Sequence, residues 1–217
     1  GEGPIVAKFE NEFAQFSGRK HGVSVTNGTA AIELVIHSLG FGPEDEIIVP
    51  SFAIISCISQ ILRCGARPVF VDVDPLTWNI DTNRVEQMIT ARTKAIMAVH
   101  TYGLPVDMEP LLEIAKRHNL LIIEDAAESL GSFYGGQHTG TFGLLGALSF
   151  NGNKIITTGG GGAILTNNLD LARHAKHLTT TAKIRHAWEF RHDEIGFNYR
   201  MPNLNAALGC AQLEMLP

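Results

Sequence analysis

Leu120 to Ser129 reads LLIIEDAAES. Four consecutive aliphatic residues run into two carboxylates, Glu124 and Asp125, and then into small residues. A strand that is apolar on both faces has no solvent side. It belongs inside a sheet covered by helices above and below. Successive strand residues face opposite ways, so only one of the two carboxylates can point into a given site. Asp125 is the candidate for that role and Glu124 the structural member. Taken alone, Asp125 also fits an ordinary helix N-cap after the strand.

The same pattern extends in both directions. Upstream, DMEPLLEIAKRHN predicts an amphipathic helix, and KAIMAVHTYG predicts a strand whose end carries His100 and Tyr102. Before these, ARPVFVDVD and IIVPSFA predict strands, Ile54 to Leu62 a buried helix, and DTNRVEQMI a helix start with Asp81 as cap. Residues 4–16 carry apolar side chains at helical spacing, closed by Gly18. Gly22 to Val25 is a short strand, followed by a turn at Thr26–Thr29 and a helix to Leu39 that Gly40 closes. Strand, glycine turn and helix make an anion-binding arrangement, since the first amides of the helix lack partners. An ordinary turn with Thr29 as N-cap accounts for the same residues. Strands alternating with helices predict an α/β fold with a mainly parallel sheet covered on both faces. Ligands then bind beyond the carboxyl ends of the strands.

Downstream the pattern changes. GSFYGGQHTGTFG suggests hairpins. Ser149 to Asn167, SFNGNKIITTGGGGAILTN, places Lys154 between two apolar strands and ahead of Gly159–Gly162. Apolar flanks suggest burial, and an amine stripped of water is a better nucleophile. A surface lysine at a glycine-rich turn is the plainer alternative. Asp170 to Leu178 predicts a helix. Residues 179–200 are polar, rich in His and Arg, and without a period, which marks a functional or interfacial segment. A last helix follows, with Asn203 as its cap.

Composition narrows the class. The chain has 217 residues, 45% hydrophobic and 18% charged, with a net charge of -5. It is globular, with no basic surface for nucleic acid. No apolar run is long enough to span a bilayer. Cys57, Cys64 and Cys210 have no metal-ligand spacing and read as structural thiols in a reducing compartment, with a cytoplasmic enzyme as the default. Cys57 and Cys64, seven apart on one helix, read as core positions. His186 and His192 lack a third ligand, so no metal site is expected. The opening without Met and the final Ala-rich helix suggest a piece of a longer protein.

Three features converge: a helix N-terminus for a phosphate, a carboxylate at the end of a buried strand, and a lysine in a glycine-rich turn. Pyridoxal phosphate requires all three, namely an amine for its aldehyde, a carboxylate for its ring nitrogen and N–H donors for its phosphate. The glycines would let backbone pass close to that cofactor.

NGTAAIEL, IIVPSFA, VFVDVDP, AVHTYGLPVDM, IIEDAAES, GTFG with SFNGNK, TTGGGGAILTN and GFNYRMPNLNAALGCAQLE occur in this order and cover essentially the whole chain. Together they resemble the DegT family of pyridoxal-phosphate-dependent sugar aminotransferases. TTTAK, HAWEF and HDEIGFNYRMPN are similar to the 4-aminotransferases of UDP-linked 4-keto-6-deoxy amino sugars in bacillosamine and legionaminic acid routes. SFAIISC and DPLTWNID are more similar to the GDP-perosamine synthases. The resemblance implies a fold of the aspartate-aminotransferase type (fold type I). Residues 1–217 would be its large α/β domain with a mostly parallel seven-stranded sheet, and the small C-terminal domain would be largely or wholly absent. It also implies a homodimer with shared active sites.

Residue by residue, the resemblance implies that Lys154 is the Schiff-base lysine and Asp125 the ring-nitrogen partner, with Glu128 near the cofactor's hydroxyl and ring. Gly28, Thr29 and Ala30 would form the phosphate turn, and Ser149 would add a hydroxyl to it. Asn198 would reach the phosphate from the neighbouring subunit. Ile54 stands where an aromatic residue often stacks on the ring, and Asn151 where His or Tyr is common. Relatives that dehydrate sugars carry His in place of the lysine, so Lys154 points to transamination, with glutamate as amino donor and a nucleotide-linked 4-keto sugar as acceptor. A non-catalytic cofactor-binding relative is the alternative. A lyase or desulfurase is disfavoured, because no cysteine sits on an exposed glycine-rich loop.

Overall fold

A computed structural model describes residues 3–216. In chain order the elements are α1 (Pro4–Ser17), β1 (His21–Val25), α2 (Gly28–Ser38), β2 (Glu46–Pro50), α3 (Ile55–Arg63), β3 (Arg67–Val71), α4 (Thr82–Val85), β4 (Thr93–Val99) and α5 (Met108–His118). They continue with β5 (Leu121–Asp125), β6 (Phe133–Tyr134), β7 (Gln137–His138), β8 (Leu145–Ser149), β9 (Gly162–Thr166), α6 (Leu169–Thr179) and α7 (Asn203–Met215). Seven strands form one sheet in the order β1-β9-β8-β5-β4-β2-β3. The pairs from β8 through β3 are parallel. β9 alone runs against both of its neighbours. The expected mostly parallel, seven-stranded α/β fold is the one observed. The GSFYGGQ stretch forms the small β6–β7 hairpin. Gly135 and Gly136 turn it at φ +56° and +81°, the left-handed conformation such two-residue turns need.

Alternation along each strand divides the core. Ile47, Val49, Ala95, Met97, Ile123, Ala147 and Ile164 face one side, under α2, α3 and α6. Ile48, Ile96, Ala98 and Ile122 face the other side with α5. Leu148, Ala163 and Leu165 meet α1 and α7 on that second side. There Phe150 sits edge-on to Phe9 and Phe13, with ring centroids 5.4 and 5.0 Å apart. Gly209 of α7 lies directly over Phe9, where an added Cβ would stand 2.7 Å from the ring.

The helix ends correct two expectations. α1 stops at Gly18 in the left-handed conformation, φ +78°, as its sequence predicts. α2, however, is capped by Asn27, whose Oδ1 accepts from the Ala30 amide at 2.8 Å, not by Thr29. Both types can cap; Asn27 is the residue that remains extended before the first turn. Asn203 is the first residue of α7 and makes no cap bond there. Its Oδ1 accepts instead from the Val6 amide at 3.2 Å, which ties α7 to the start of α1. Residues 180–202 contain isolated bridges only, Thr180 to Asn198, Lys183 to His192 and Arg200 to Val25 of β1. No helix among the described residues is long and apolar enough to cross a membrane.

Candidate active site

Where β4, β5 and β8 end and α2 begins, a cavity of about 360 Å³ opens. That volume is in the range of small-ligand sites, and the carboxyl edge of a parallel sheet is where such sites form. Gly28, Thr29, Ile54, Asp125, Glu128, Ser149 and Lys154 all line it. One expected residue does not. Ala30 is buried, and its amide is taken by Asn27. Asn198, expected to act in a neighbouring subunit's site, lies on the exposed segment that pairs with Thr180, outside this chain's own cavity.

One wall is polar. With Asn27 serving the Ala30 amide, the amides of Gly28 and Thr29 at the first turn of α2 are directed out of the helix. Three hydroxyls stand close by. Thr29 Oγ1 and Ser56 Oγ are 2.8 Å apart, and Ser149 comes from the end of β8. Gly28 is needed sterically, since a Cβ there would lie 2.8 Å from the Cβ of Ser149. This glycine sets how closely the α2 amides approach the Ser149 hydroxyl. Ser56 was not singled out from the sequence; its only signal was a hydroxyl two residues after Ile54.

The floor is Asp125. Like Ile123 two residues before it, it points to the α2–α3 side of the sheet, and it is buried. Oδ1 accepts from the Ala127 amide at 3.0 Å, and Oδ2 accepts from the Cys57 thiol at 3.0 Å. Burial pushes the Asp125 carboxyl above its usual value. The bonds from Cys57 and Ala127, and the nearby His100 and Lys154, act against that shift. Lys154 projects from the loop after β8 with its side chain 17% exposed. Its Nζ stands 3.4 Å from Glu128 Oε1, and Glu128 Oε2 accepts from the Tyr102 amide at 2.9 Å. The lysine is therefore half-buried at the cavity wall, not at a solvent-facing turn.

His100 also borders the cavity but is fully committed. Its Nδ1 accepts from the Val106 amide at 3.1 Å, so Nε2 carries the hydrogen toward Glu124 at 3.0 Å. At the mouth Phe52 meets Trp78 edge-on at 4.9 Å and Tyr102 at 6.3 Å. Trp78 and Tyr102 both hold left-handed backbone, φ +62° and +51°. The glycine run does not reach the cavity. Gly162 clears the Asn27 backbone, which an added Cβ would approach to 2.6 Å, and Gly161 clears Thr158 and Met201. These glycines hold β9 against the α2 turn, so the expectation that they make room for a cofactor is corrected.

Outside the cavity, the one metal-capable group among the described residues is His177, Asp193 and Glu194. Its members are paired with each other and with His174. His186 and His192 are each occupied by local backbone, His186 by the Glu189 amide and His192 by the Thr181 carbonyl.

The profile of the DegT/DnrJ/EryC1/StrS aminotransferase family matches residues 1–217. The GDP-perosamine synthase of Caulobacter vibrioides is 49% identical over 214 residues, covering 98% of this chain and 57% of that protein. The UDP-N-acetyl-3-dehydro-alpha-D-glucosamine 3-aminotransferase of Acidithiobacillus ferrooxidans is 39% identical over 201 residues, 92% of this chain and 53% of that protein. Among solved structures, the S. venezuelae DesV protein, in complex with a ketimine intermediate, superposes with a TM-score of 0.93. It is 37% identical, and the match covers 99% of this chain and 57% of that one. The chain thus spans little more than half the length of the curated relatives it matches.

Proposed function

Because the chain belongs to the DegT/DnrJ/EryC1/StrS aminotransferase family, we propose that it carries the cofactor half of a pyridoxal-phosphate-dependent aminotransferase acting on a nucleotide-linked keto sugar. One observation carries this reading: Lys154, Asp125 and the outward amides of α2 line the same cavity. The residues present suit that cofactor. The Gly28–Ser149 cradle leaves room at the helix N-terminus for an anion, and a buried carboxylate with lone pairs to spare suits a protonated ring nitrogen.

When bound, pyridoxal phosphate supplies an aldehyde to carry the amino group and a ring that stores an electron pair. The chain's own groups do the rest. Gly28 and Thr29 amides, with the hydroxyls of Thr29, Ser56 and Ser149, hold the phosphate. Asp125 would keep the proton on the ring nitrogen, a fixed charge that would favour electron-rich states of the ring. Ile54, on the cavity wall, would offer an aliphatic face to the ring. Lys154 Nζ would be the attachment amine and, as a free amine, would hold and move the proton as general base and acid. Glu128 holds that amine at the cavity wall. Asn198 reaches the phosphate of a second copy, which makes a homodimer the working unit.

Glutamate is the proposed donor and a 4-keto-6-deoxy sugar nucleotide the acceptor. The 49% identity to a GDP-perosamine synthase supports a GDP-linked sugar. The relatives named as 3-aminotransferases bring 3-keto sugars into the same test. The test is a panel of 4-keto and 3-keto UDP-, GDP- and dTDP-sugars with glutamate, read by product mass. Amination of none of them would overturn the reading. A second reading, a cofactor-binding regulator, is favoured by a 40% identical relative named as a pleiotropic regulatory protein. It predicts cofactor binding with no change in the bound cofactor's visible band on adding glutamate.

A further inference from the structure

Cys57 has no part in the reaction just described, and its sequence marks it only as a core residue of α3. It is fully buried, and the hydrophobic cluster under α2 and α3 surrounds it. Its sulfur is nevertheless not idle. It lies 3.0 Å from Oδ2 of Asp125, a residue 68 positions away on β5. Asp125 has two protein donors among its described contacts, the Ala127 amide on Oδ1 and this thiol on Oδ2.

We propose that Cys57 is a positioning residue: its thiol, donated from α3 to Oδ2, fixes the rotation of the Asp125 carboxylate so that a lone pair faces the ring nitrogen of the bound cofactor. The proposal rests on the reading of Asp125 given above and assigns Cys57 a role in it.

The chemistry supports a donor over a nucleophile. A carboxylate held only by Ala127 could swing its second oxygen toward the apolar cluster of α2 and α3. A donor on each oxygen fixes the plane of the group. Each carboxylate oxygen has two acceptor positions, so the bond to Cys57 leaves one for the cofactor. Burial and the Asp125 charge push the Cys57 thiol well above its usual value, so the sulfur keeps its hydrogen and cannot act as a thiolate. A thiol is also a weak donor. It orients the carboxylate without competing strongly for the charge that the pyridinium requires.

A filler residue and a positioning residue make different predictions. The measurement is the ratio of affinities for pyridoxal phosphate and for its analogue with carbon in place of the ring nitrogen, in the 217-residue chain and in any longer polypeptide that carries it. Intact protein prefers the nitrogen form, because only that form meets Asp125. Cys57→Ala should reduce the preference about three- to ten-fold, the worth of one buried hydrogen bond. Cys57→Ser, which keeps a donor, should restore it to within about two-fold, on the same scale. General loosening of the core would weaken both ligands equally and leave the ratio unmoved. An unmoved ratio in Cys57→Ala, with both ligands still bound, overturns the role of Cys57 alone. If Cys57→Ala does not fold, Cys57→Val and Cys57→Ser carry the test, and equal ratios in those two overturn it as well. If the intact protein shows no preference between the ligands, the assignment of Asp125 fails first and the Cys57 proposal falls with it.

Discussion

Glu124 and Asp125 are neighbours on β5 whose carboxylates point to opposite sides of the sheet. Glu124, fully buried, takes the Phe142 and Gly143 amides on Oε1 at 2.7 and 2.6 Å, and the Gly140 amide and His100 Nε2 on Oε2 at 2.7 and 3.0 Å. Asp125 takes two donors and lines the cavity. One carboxylate is saturated and structural, and the other keeps capacity for a ligand.

Saturation makes Glu124 costly to change even conservatively. Glu124→Gln turns one oxygen into an amide nitrogen that faces two donors whichever way it is rotated. The expected loss is about 3 kcal/mol of folding free energy, typical of a buried polar group left without its partners. Urea denaturation of the cofactor-free protein measures it, and a loss under about 1 kcal/mol would contradict the network.

Asp125 behaves in the opposite sense. Burial raises its folded-state pKa above the unfolded one. Between those two values the folded chain binds more protons, so rising pH lowers stability across that window and leaves it flat above. Asp125→Asn has no such ionisation. Without cofactor, the variant should gain on the native protein as pH rises from the ordinary carboxylate value through the raised folded-state value, and it should bind pyridoxal phosphate more weakly. Denaturant midpoints across that range decide; a native protein that gains on the variant with rising pH has the sign reversed.

Gly28 and Ser149 set the width of the proposed phosphate cradle. Gly28→Ala places a methyl 2.8 Å from the Ser149 Cβ. Overpacking of this kind costs about 1–3 kcal/mol, and an affinity loss for pyridoxal phosphate of about ten-fold or more is expected. Adding Ser149→Gly removes the methyl's obstacle and should recover much of the packing cost. Equilibrium binding to the single and double variants separates this steric account from any loss of helix geometry.

Lys154→Ala should abolish the borohydride-reducible cofactor adduct while cofactor still binds through the phosphate cradle. The amino-transfer rate should fall by about 10²–10⁴-fold or more, the span of a lost acid–base group. Mass spectrometry of the reduced protein is the readout. An adduct that persists on another lysine would displace Lys154 from its role.

The architecture was legible in the sequence because it depends on local periodicity. Apolar strands such as Leu121–Ile123 need helices on both faces, and the opposite facing of Glu124 and Asp125 follows from a two-residue repeat. Lys154, Glu128, Ser149, Gly28 and Thr29 gather at one cavity because each falls at an element end on the same edge of the sheet. What was missed involves partners distant in the chain. Nothing near Cys57 in sequence indicates an acceptor 68 residues on. Asn203 resembles a cap, but an amide 197 residues away takes its oxygen. Asn27 and Thr29 are both able to cap, and only the turn geometry chooses Asn27. The glycines after Lys154 implied close approach correctly, but the approaching partner is the Asn27 backbone.

β9 has a consequence for how the protein is assembled. Val25, Gly162 and Ser149 lie in one row across β1, β9 and β8. β9 pairs with both β1 and β8, so it braces the strand that leads into α2 against the strand that leads into the Lys154 loop, two stretches more than a hundred residues apart that also meet through the packing of α2 on β8. Such non-local closure is slow and comes at an entropic cost that local contacts do not repay. Cofactor capture should therefore strengthen as this one reversed strand arrives, although every residue lining the cavity already lies before it in the chain.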